Sequence, residues 1–130
     1  MGDRVTVELC VLTEHAKRAE EIIGEPDEES TGPGNCTWLT YHEVNYGTLD
    51  DLEKLQAAGI PYDSVWDAGA EFTKGCHSLR FTPEGEAVEK EIYEAEMSIH
   101  VELLLEVIED HQELKQRIRA HAESITVLPW

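Results

Sequence analysis

Hydrophobic positions along this chain follow two periods, one of about two residues and one of about 3.6 residues. The two-residue pattern is rich in β-branched and aromatic residues and is bounded by turn residues, which is typical of strands. It predicts five strands, at residues 5–12, 38–46, 62–66, 77–82 and 87–93. A turn signal at residues 83–86 joins the last two predicted strands in a hairpin.

The helical period predicts three helices, at residues 16–23, 48–58 and, from residue 98 or 100, up to residue 122. Thr13 and Thr48 are the predicted N-caps of the first two, and Gly59 is the stop signal of the second. In the third helix a break is expected near Asp110. Residues 93–99 fit a strand end and a helix start alike, so their assignment stays open.

The order of these elements, β-α-β-α-β-β-β-α(α), predicts an α+β domain. We expect a mostly antiparallel sheet of about five strands with the helices on one face. Residues 24–35, with three Gly, two Pro and four acids, are predicted to be a mobile loop. The apolar end of the chain, residues 125–130, is predicted to dock on the domain. A length of 130 residues fits one domain, residues 1–130.

Charge is the strongest compositional signal. The chain has 28 acidic and 10 basic residues, a net charge of −18, and the excess runs along its whole length. Such a field repels nucleic acid and anionic membranes and attracts basic proteins. The sequence therefore predicts a basic protein partner, with no direct contact to nucleic acid or membrane.

Cysteine usage points to a reducing compartment. Cys10, Cys36 and Cys76 are odd in number and widely spaced, without the paired spacing of a disulfide or zinc framework. No apolar run has the length of a signal peptide core or a membrane span. We therefore expect a cytoplasmic protein without metal or cofactor.

No catalytic signature stands out. Cys76 and His77 are neighbours, but adjacent residues of a strand point to opposite faces, so they are not predicted to act as nucleophile and base. The sequence favours a protein that is not an enzyme.

The last predicted helix carries a row of acids. Glu102, Glu106, Glu109 and Glu113 follow at steps of four, three and four, with Asp110 beside them. On a helix, such carboxylates lie about 5–6 Å apart, close to the spacing of phosphates along DNA. This row is therefore a candidate partner-binding surface that mimics DNA. The alternative is the solvated side of a helix that packs through its opposite face, namely Leu104, Val107, Ile108, His111 and Ile118.

Residues 59–81 concentrate aromatic side chains. We expect these to be core, with Tyr62 and Trp66 as a candidate partner-binding patch, because Trp and Tyr often anchor interfaces. A second alternative is a small enzyme or ligand-binding domain in which Tyr62, Trp66, Cys76 and His77 converge on one pocket. A third is a homodimeric structural subunit joined through its LPW end.

A resemblance adds a setting. The run GIPYDxxWDxGxxxxxGxxxxRFTPEGE, an acidic helix and a terminal LPW resemble small acidic accessory proteins of phages, plasmids and integrated elements, over residues 37–130. The resemblance implies a role in countering host defence or adjusting host functions, and several unrelated proteins of this kind are acidic DNA mimics. The predicted function is a non-enzymatic acidic interaction protein, a DNA-mimic-like inhibitor of a basic, nucleic-acid-binding host partner.

Overall fold

Six strands form one antiparallel sheet in the computed structural model, which describes residues 3–130. The strands are β1 (Arg4–Leu12), β2 (Glu28–Gly32), β3 (Cys36–Asn45), β4 (Tyr62–Trp66), β5 (Gly75–Phe81) and β6 (Ala87–Tyr93). Their order across the sheet is β2-β3-β1-β4-β5-β6, and every neighbouring pair is antiparallel. The predicted α+β class with a mostly antiparallel sheet is confirmed, with six strands where about five were expected.

Four α-helices accompany the sheet: α1 (Ala16–Ile23), α2 (Leu52–Ala57), α3 (Val101–Leu105) and α4 (His111–Ile125). Helix α1 leads from β1 to β2, and β3 lies between those two strands, which makes a split β-α-β unit. Among residues 3–130, none of the helices combines the length and apolar character needed to cross a membrane.

The core lies between the sheet and the first two helices. Alternate residues of β1 point to this side, and Val7, Leu9 and Val11 are completely buried there. Ala19 of α1 and Leu55 of α2 belong to the same buried cluster. The helices α1 and α2 therefore share one face of the sheet, as the pattern predicted.

Strand β2 lies where a mobile loop was predicted. Residues 28–32 pair with β3 from Glu28 opposite Thr40 to Gly32 opposite Cys36. Its residues are mostly exposed acids and small polar residues, so the segment has no hydrophobic signal of its own. Because it is an edge strand, it needs only the main-chain hydrogen bonds of β3 and tolerates charge on its side chains.

Both predicted helix caps are wrong. Thr13 lies in a 3₁₀ turn (Thr13–His15) before α1, with its hydroxyl oxygen 3.0 Å from that of Thr37. Thr48 precedes α2 by four residues, because the chain first makes a turn with positive φ at Gly47 (67°) and at Asp51 (67°). A Cβ at Gly47 would lie 2.8 Å from Cβ of Trp66, so the turn approaches β4 closely.

The open stretch at residues 93–99 resolves into a strand end and a 3₁₀ helix, Glu94–Met97. The helical region after it breaks between α3 and α4, around the Asp110 N-cap, whose carboxylate accepts the Glu113 N–H at 3.1 Å. Neither helix buries a residue. The predicted packing face is therefore wrong: two of its residues are half-buried (Leu104 and Val107) and three are exposed (Ile108, His111 and Ile118).

The end of the chain docks on the sheet face opposite α1 and α2. The Trp130 ring lies 3.8 Å from Cζ of Arg80, and the Arg80 Nε–H donates to the Leu128 carbonyl at 3.0 Å. Lys90 Nζ donates to the Thr126 carbonyl at 2.8 Å. The predicted docking of this segment is confirmed, and the tail is held within its own chain.

Candidate functional site

A cavity of about 440 Å³ opens on the helix side of the sheet, between α2 and strands β4–β6. Three strands supply its floor, α2 supplies one wall, and the turn before α2 and the loop before β5 supply the rim. The lining side chains used below are Tyr62, Ser64, Trp66, His77, Glu89, Glu91 and Tyr93 from the floor, Glu53 from the wall, and Tyr46 and Phe72 from the rim.

Strand register sets the arrangement of the floor. Residues that face each other across antiparallel strands point to the same side of the sheet. Three rows result, each crossing β4, β5 and β6: Tyr62–Leu79–Glu89, Ser64–His77–Glu91 and Trp66–Gly75–Tyr93. Aromatic residues, a histidine and two glutamates are thereby placed side by side.

Gly75 makes room for an aromatic corner. A Cβ at this position would lie 2.5 Å from Cζ2 of Trp66, so the indole lies over the glycine backbone. Tyr93 flanks Gly75 from the other side, and the Trp66 and Tyr93 rings lie 6.0 Å apart at an interplanar angle of 75°. Trp66 Nε1–H donates to the Thr73 carbonyl at 2.8 Å, which holds the indole in place.

Carboxylates surround the histidine of the floor. His77 Nε2 lies 3.4 Å from Glu89 Oε1, and His77 Nδ1 lies 3.8 Å from Glu91 Oε1. The Tyr93 hydroxyl donates to Glu91 Oε2 at 3.3 Å. Tyr62 packs beside His77 with ring centroids 6.0 Å apart. Two acids of β6 therefore point into the cavity over an aromatic floor.

The pKa values of Tyr62 and Tyr93 are raised, in part by the negative charges of the cavity. Burial, followed by the charges of Glu89 and Glu53, raises the pKa of Tyr62 to about 12. The pKa of Tyr93 is also raised, and its largest cause is the charge of Glu91. Both phenols therefore stay protonated at neutral pH, and the site disfavours a further negative charge.

Among the lining residues within 3–130, Glu53, Glu89 and Glu91 are the carboxylates, and no Lys or Arg side chain balances them. Aromatic rings present a negative face to a cation, and carboxylates pair with it directly. The cavity is suited to a group that is positively charged and partly apolar.

The structure brings together three of the four residues of the predicted pocket. Tyr62, Trp66 and His77 line the cavity, whereas Cys76 points to the other side of β5, with Sγ 3.5 Å from Oγ of Ser78. Burial is the main cause that raises the pKa of the Cys76 thiol. Strand geometry thus separates Cys76 from His77, as the sequence pattern predicted.

Four further residues of the cavity were not singled out from the sequence: Glu53, Glu89, Glu91 and Tyr93. The last three alternate along the predicted strand 87–93, so they share one face. That period was a usable signal, but the face they share becomes meaningful only once β6 is known to pair with β5. Nothing in the sequence indicated that α2 would bring Glu53 opposite them.

The acid row predicted on the last helix is not built as a single row. The four acids are distributed over α3 (Glu102), the turn after it (Glu106 and Glu109) and α4 (Glu113). Arg117 pairs with two of them, through Nη1 to Glu106 Oε2 at 3.1 Å and Nε to Glu113 Oε1 at 3.6 Å. The chain turns before the row is complete, and one guanidinium partly neutralises it. Asp110 serves as the α4 N-cap.

Among the described lining residues of this pocket there is no cysteine. Burial is the largest cause that raises the pKa of Cys10 to about 12, so this thiol stays protonated at neutral pH. Within residues 3–130, no group of three or more His, Cys, Asp or Glu side chains is placed to hold a metal ion.

The site is thus an acidic pocket with an aromatic corner, set by the register of β4–β6 and closed on one side by α2. Comparison with family models, with curated proteins and with solved structures finds no match to this chain.

Proposed function

We propose that this chain is a non-enzymatic interaction protein that binds a basic protein partner through its acidic pocket. The observation that carries the proposal is a 440 Å³ cavity with five aromatic side chains and three glutamates in its lining, and with no Lys or Arg among its described residues. In a chain of net charge −18, the long-range field attracts a basic partner and the pocket gives it a specific place to bind.

Two features support a binding role over a catalytic one. The neighbours Cys76 and His77 face opposite sides of β5, so the histidine does not activate that thiol. Burial also keeps Cys10 and Cys76 in their protonated, poorly nucleophilic form.

The proposal extends to partners that bind nucleic acid. A groove that accommodates phosphates has the positive field that complements this chain. The resemblance to accessory proteins of phages and plasmids gives a biological setting, in which the basic partner is a host defence protein. In this form of the proposal, contact is made around Trp66, with Tyr62 buried in the floor of the pocket. The acids of α3 and α4 add to the negative field and do not form the contact surface.

Three sets of Glu-to-Gln variants test where binding occurs. The pocket set is E53Q/E89Q/E91Q, and the matched control set is E25Q/E28Q/E29Q, with three exposed acids on and beside edge strand β2. The arm set is E102Q/E106Q/E109Q/E113Q, in the arm formed by α3, α4 and the turn between them. Partners captured from host lysate at about 100 mM salt are identified, purified and titrated against each set by calorimetry at several salt concentrations.

We expect a basic partner whose affinity falls about tenfold or more between 50 and 300 mM NaCl, a rough expectation for charge-driven binding. The pocket set should lose far more affinity than the control set, although both remove three charges. A neutral partner, or affinity independent of salt, would refute the proposal. A loss of affinity confined to the arm set or to the control set would place the binding surface at those acids instead of the pocket.

A second candidate function is a domain that binds a small ligand, because the cavity lies within the range of about 300–1,000 Å³ that is usual for such sites. The two candidate functions predict different results. If the chain binds a small ligand, a small cation would bind the isolated chain tightly and no basic protein would be captured. A homodimer through the LPW segment is less favoured, because Trp130 packs on Arg80 of its own chain.

A further inference from the structure

We propose that the pocket receives an arginine side chain of the partner, with its guanidinium against Trp66 and Tyr93 and paired with Glu89 and Glu91. The inference rests on the proposed function, because it names the group by which the basic partner is anchored. It adds the chemistry of recognition, which charge alone does not define.

The aromatic corner favours a flat cation. Trp66 and Tyr93 pack edge to face at 75°, so a group in the cavity lies against this pair and meets the face of one ring. A cation over such a face is attracted by the ring quadrupole, and guanidinium also stacks on it because it is planar. The ammonium group of lysine carries the same charge, but it is not planar and cannot stack on a ring in this way.

The two acids of β6 supply the carboxylates that a guanidinium needs as hydrogen-bond partners. Glu89 and Glu91 are neighbours on the cavity side of β6 and both approach His77. His77 approaches one oxygen of each carboxylate, and the Tyr93 hydroxyl donates to the second oxygen of Glu91. Glu89 is therefore the carboxylate better placed to accept the forked N–H groups of a guanidinium, which match a carboxylate in two parallel hydrogen bonds.

The chain already contains the same arrangement on the other face of the sheet. Arg80 is 5% exposed, lies 3.8 Å from the Trp130 ring through Cζ, and pairs with Asp63 at 3.0 Å. An aromatic ring and a carboxylate thus hold a guanidinium within this fold. The pocket presents the same two groups, and among its described lining residues no arginine fills the place.

Small probes test the pocket without the partner. N-acetyl-arginine amide, its lysine counterpart and its citrulline counterpart are titrated into the isotope-labelled chain at about 100 mM salt. Citrulline keeps the size and planarity of arginine and removes the charge. The signal is the indole N–H resonance of Trp66, assigned with Trp66→Phe, with the indoles of Trp38 and Trp130 as internal references.

The arginine probe should shift the Trp66 resonance and saturate, with affinity about tenfold or more above that of citrulline and several-fold above that of lysine. E89Q/E91Q should lose about tenfold in arginine affinity, whereas the matched control E28Q/E29Q on β2 should not change it. Tyr93→Leu, at an exposed position on edge strand β6, tests the aromatic corner without disturbing the core and should weaken arginine more than citrulline.

Equal binding of citrulline and arginine would overturn the inference, as would arginine binding that E89Q/E91Q leaves intact. Lysine binding as strong as arginine would overturn the choice of guanidinium. Tighter binding of free tetramethylammonium than of the arginine probe would replace a partner side chain with a small organic cation. These results separate the two proposals: lysate capture can fail while arginine still fills the pocket, and the pocket can stay empty while a basic partner binds elsewhere.

Discussion

Arg80 shows how one residue can organise the face of the sheet opposite the pocket. Its guanidinium donates to the carbonyls of Tyr62 and Leu128 at 3.0 Å and pairs with Asp63, all within a nearly buried position. A buried charge of this kind depends on its counter-ion, since removal of one partner leaves the other desolvated and unpaired.

Asp63→Asn should therefore destabilise the fold by about 3 kcal/mol, because Arg80 stays buried without a counter-charge. The measurement is urea unfolding followed by tryptophan fluorescence. The double variant D63L/R80M is the control, since it removes both charges and should cost much less than D63L and R80M measured singly and added together. A cost for Asp63→Asn below about 1 kcal/mol would show that water already solvates the pair.

One buried thiol and two buried phenols should make the stability of the fold fall at high pH. Mainly through burial, the pKa of Cys10 is raised from 9.0 to about 12 and those of Tyr41 and Tyr62 from 10.0 to about 12. Between the unfolded and folded pKa values the native state binds more protons than the unfolded state. The stabilisation that these three groups contribute is therefore present in full below about pH 9. It falls as the pH rises and is lost by about pH 12.

Each group contributes a slope of at most about 1.4 kcal/mol per pH unit in that window. Unfolding free energies measured from pH 8 to 11 should decline, and Tyr62→Phe should flatten the decline, because its phenol no longer titrates. An unchanged slope in that variant would mean that Tyr62 ionises in the native state as it does in the unfolded chain. Tyr46→Phe is the matched control, since Tyr46 is exposed.

At the scale of elements, α3 and α4 form an arm whose two helices are linked through Arg117. Arg117 of α4 donates to the Leu103 carbonyl at 2.7 Å and pairs with Glu106 and Glu113. Neither helix buries a residue, so this guanidinium is the main polar link between them. Such a segment is expected to open locally before the sheet does.

Arg117→Ala should release the arm, while the sheet remains folded. Amide hydrogen exchange should accelerate about tenfold or more across residues 101–125 and stay unchanged in β1 and β3. Arg119→Ala is the matched control, because it removes the same charge from an exposed site of the same helix. Exchange that rises equally in both variants would indicate that charge, rather than the Arg117 contacts, holds the arm.

For the whole molecule, the net charge of −18 acts on folding and on binding in opposite ways. Like charges repel each other more in the compact native state than in the expanded unfolded state, and salt screens this repulsion. The same screening weakens attraction to a basic partner.

The melting temperature should therefore rise when NaCl is increased from about 20 to 500 mM, while partner affinity falls over the same range. Thermal unfolding by circular dichroism and calorimetric titration measure the two effects. KCl at equal ionic strength should give equal shifts, because screening depends on ionic strength. A melting temperature that falls with salt would mean that attractive pairs such as Arg80–Asp63 outweigh the general repulsion.

The candidate site was only partly predictable, for reasons that its residues make clear. Tyr62 and Trp66 stood out because aromatic residues are distinctive in any strand. Glu89 and Glu91 did not, because glutamates are common throughout this chain and only their position next to His77 distinguishes them. A pocket between strands depends on which strands are neighbours, and single-strand periodicity does not contain that information.

Local pattern alone was enough for β1, β3, β4, β5, β6 and α1, because side chains that alternate between core and solvent must follow the period of their element. Net charge, and the separation of Cys76 from His77, were likewise properties of the sequence. The break near Asp110 was also expected from the sequence, and it rests on a local N-cap. Tertiary structure decided what depends on distant partners: β2 exists because β3 offers it hydrogen bonds. The aromatic corner exists because register places Trp66 and Tyr93 on either side of Gly75, where the missing side chain leaves space for an indole.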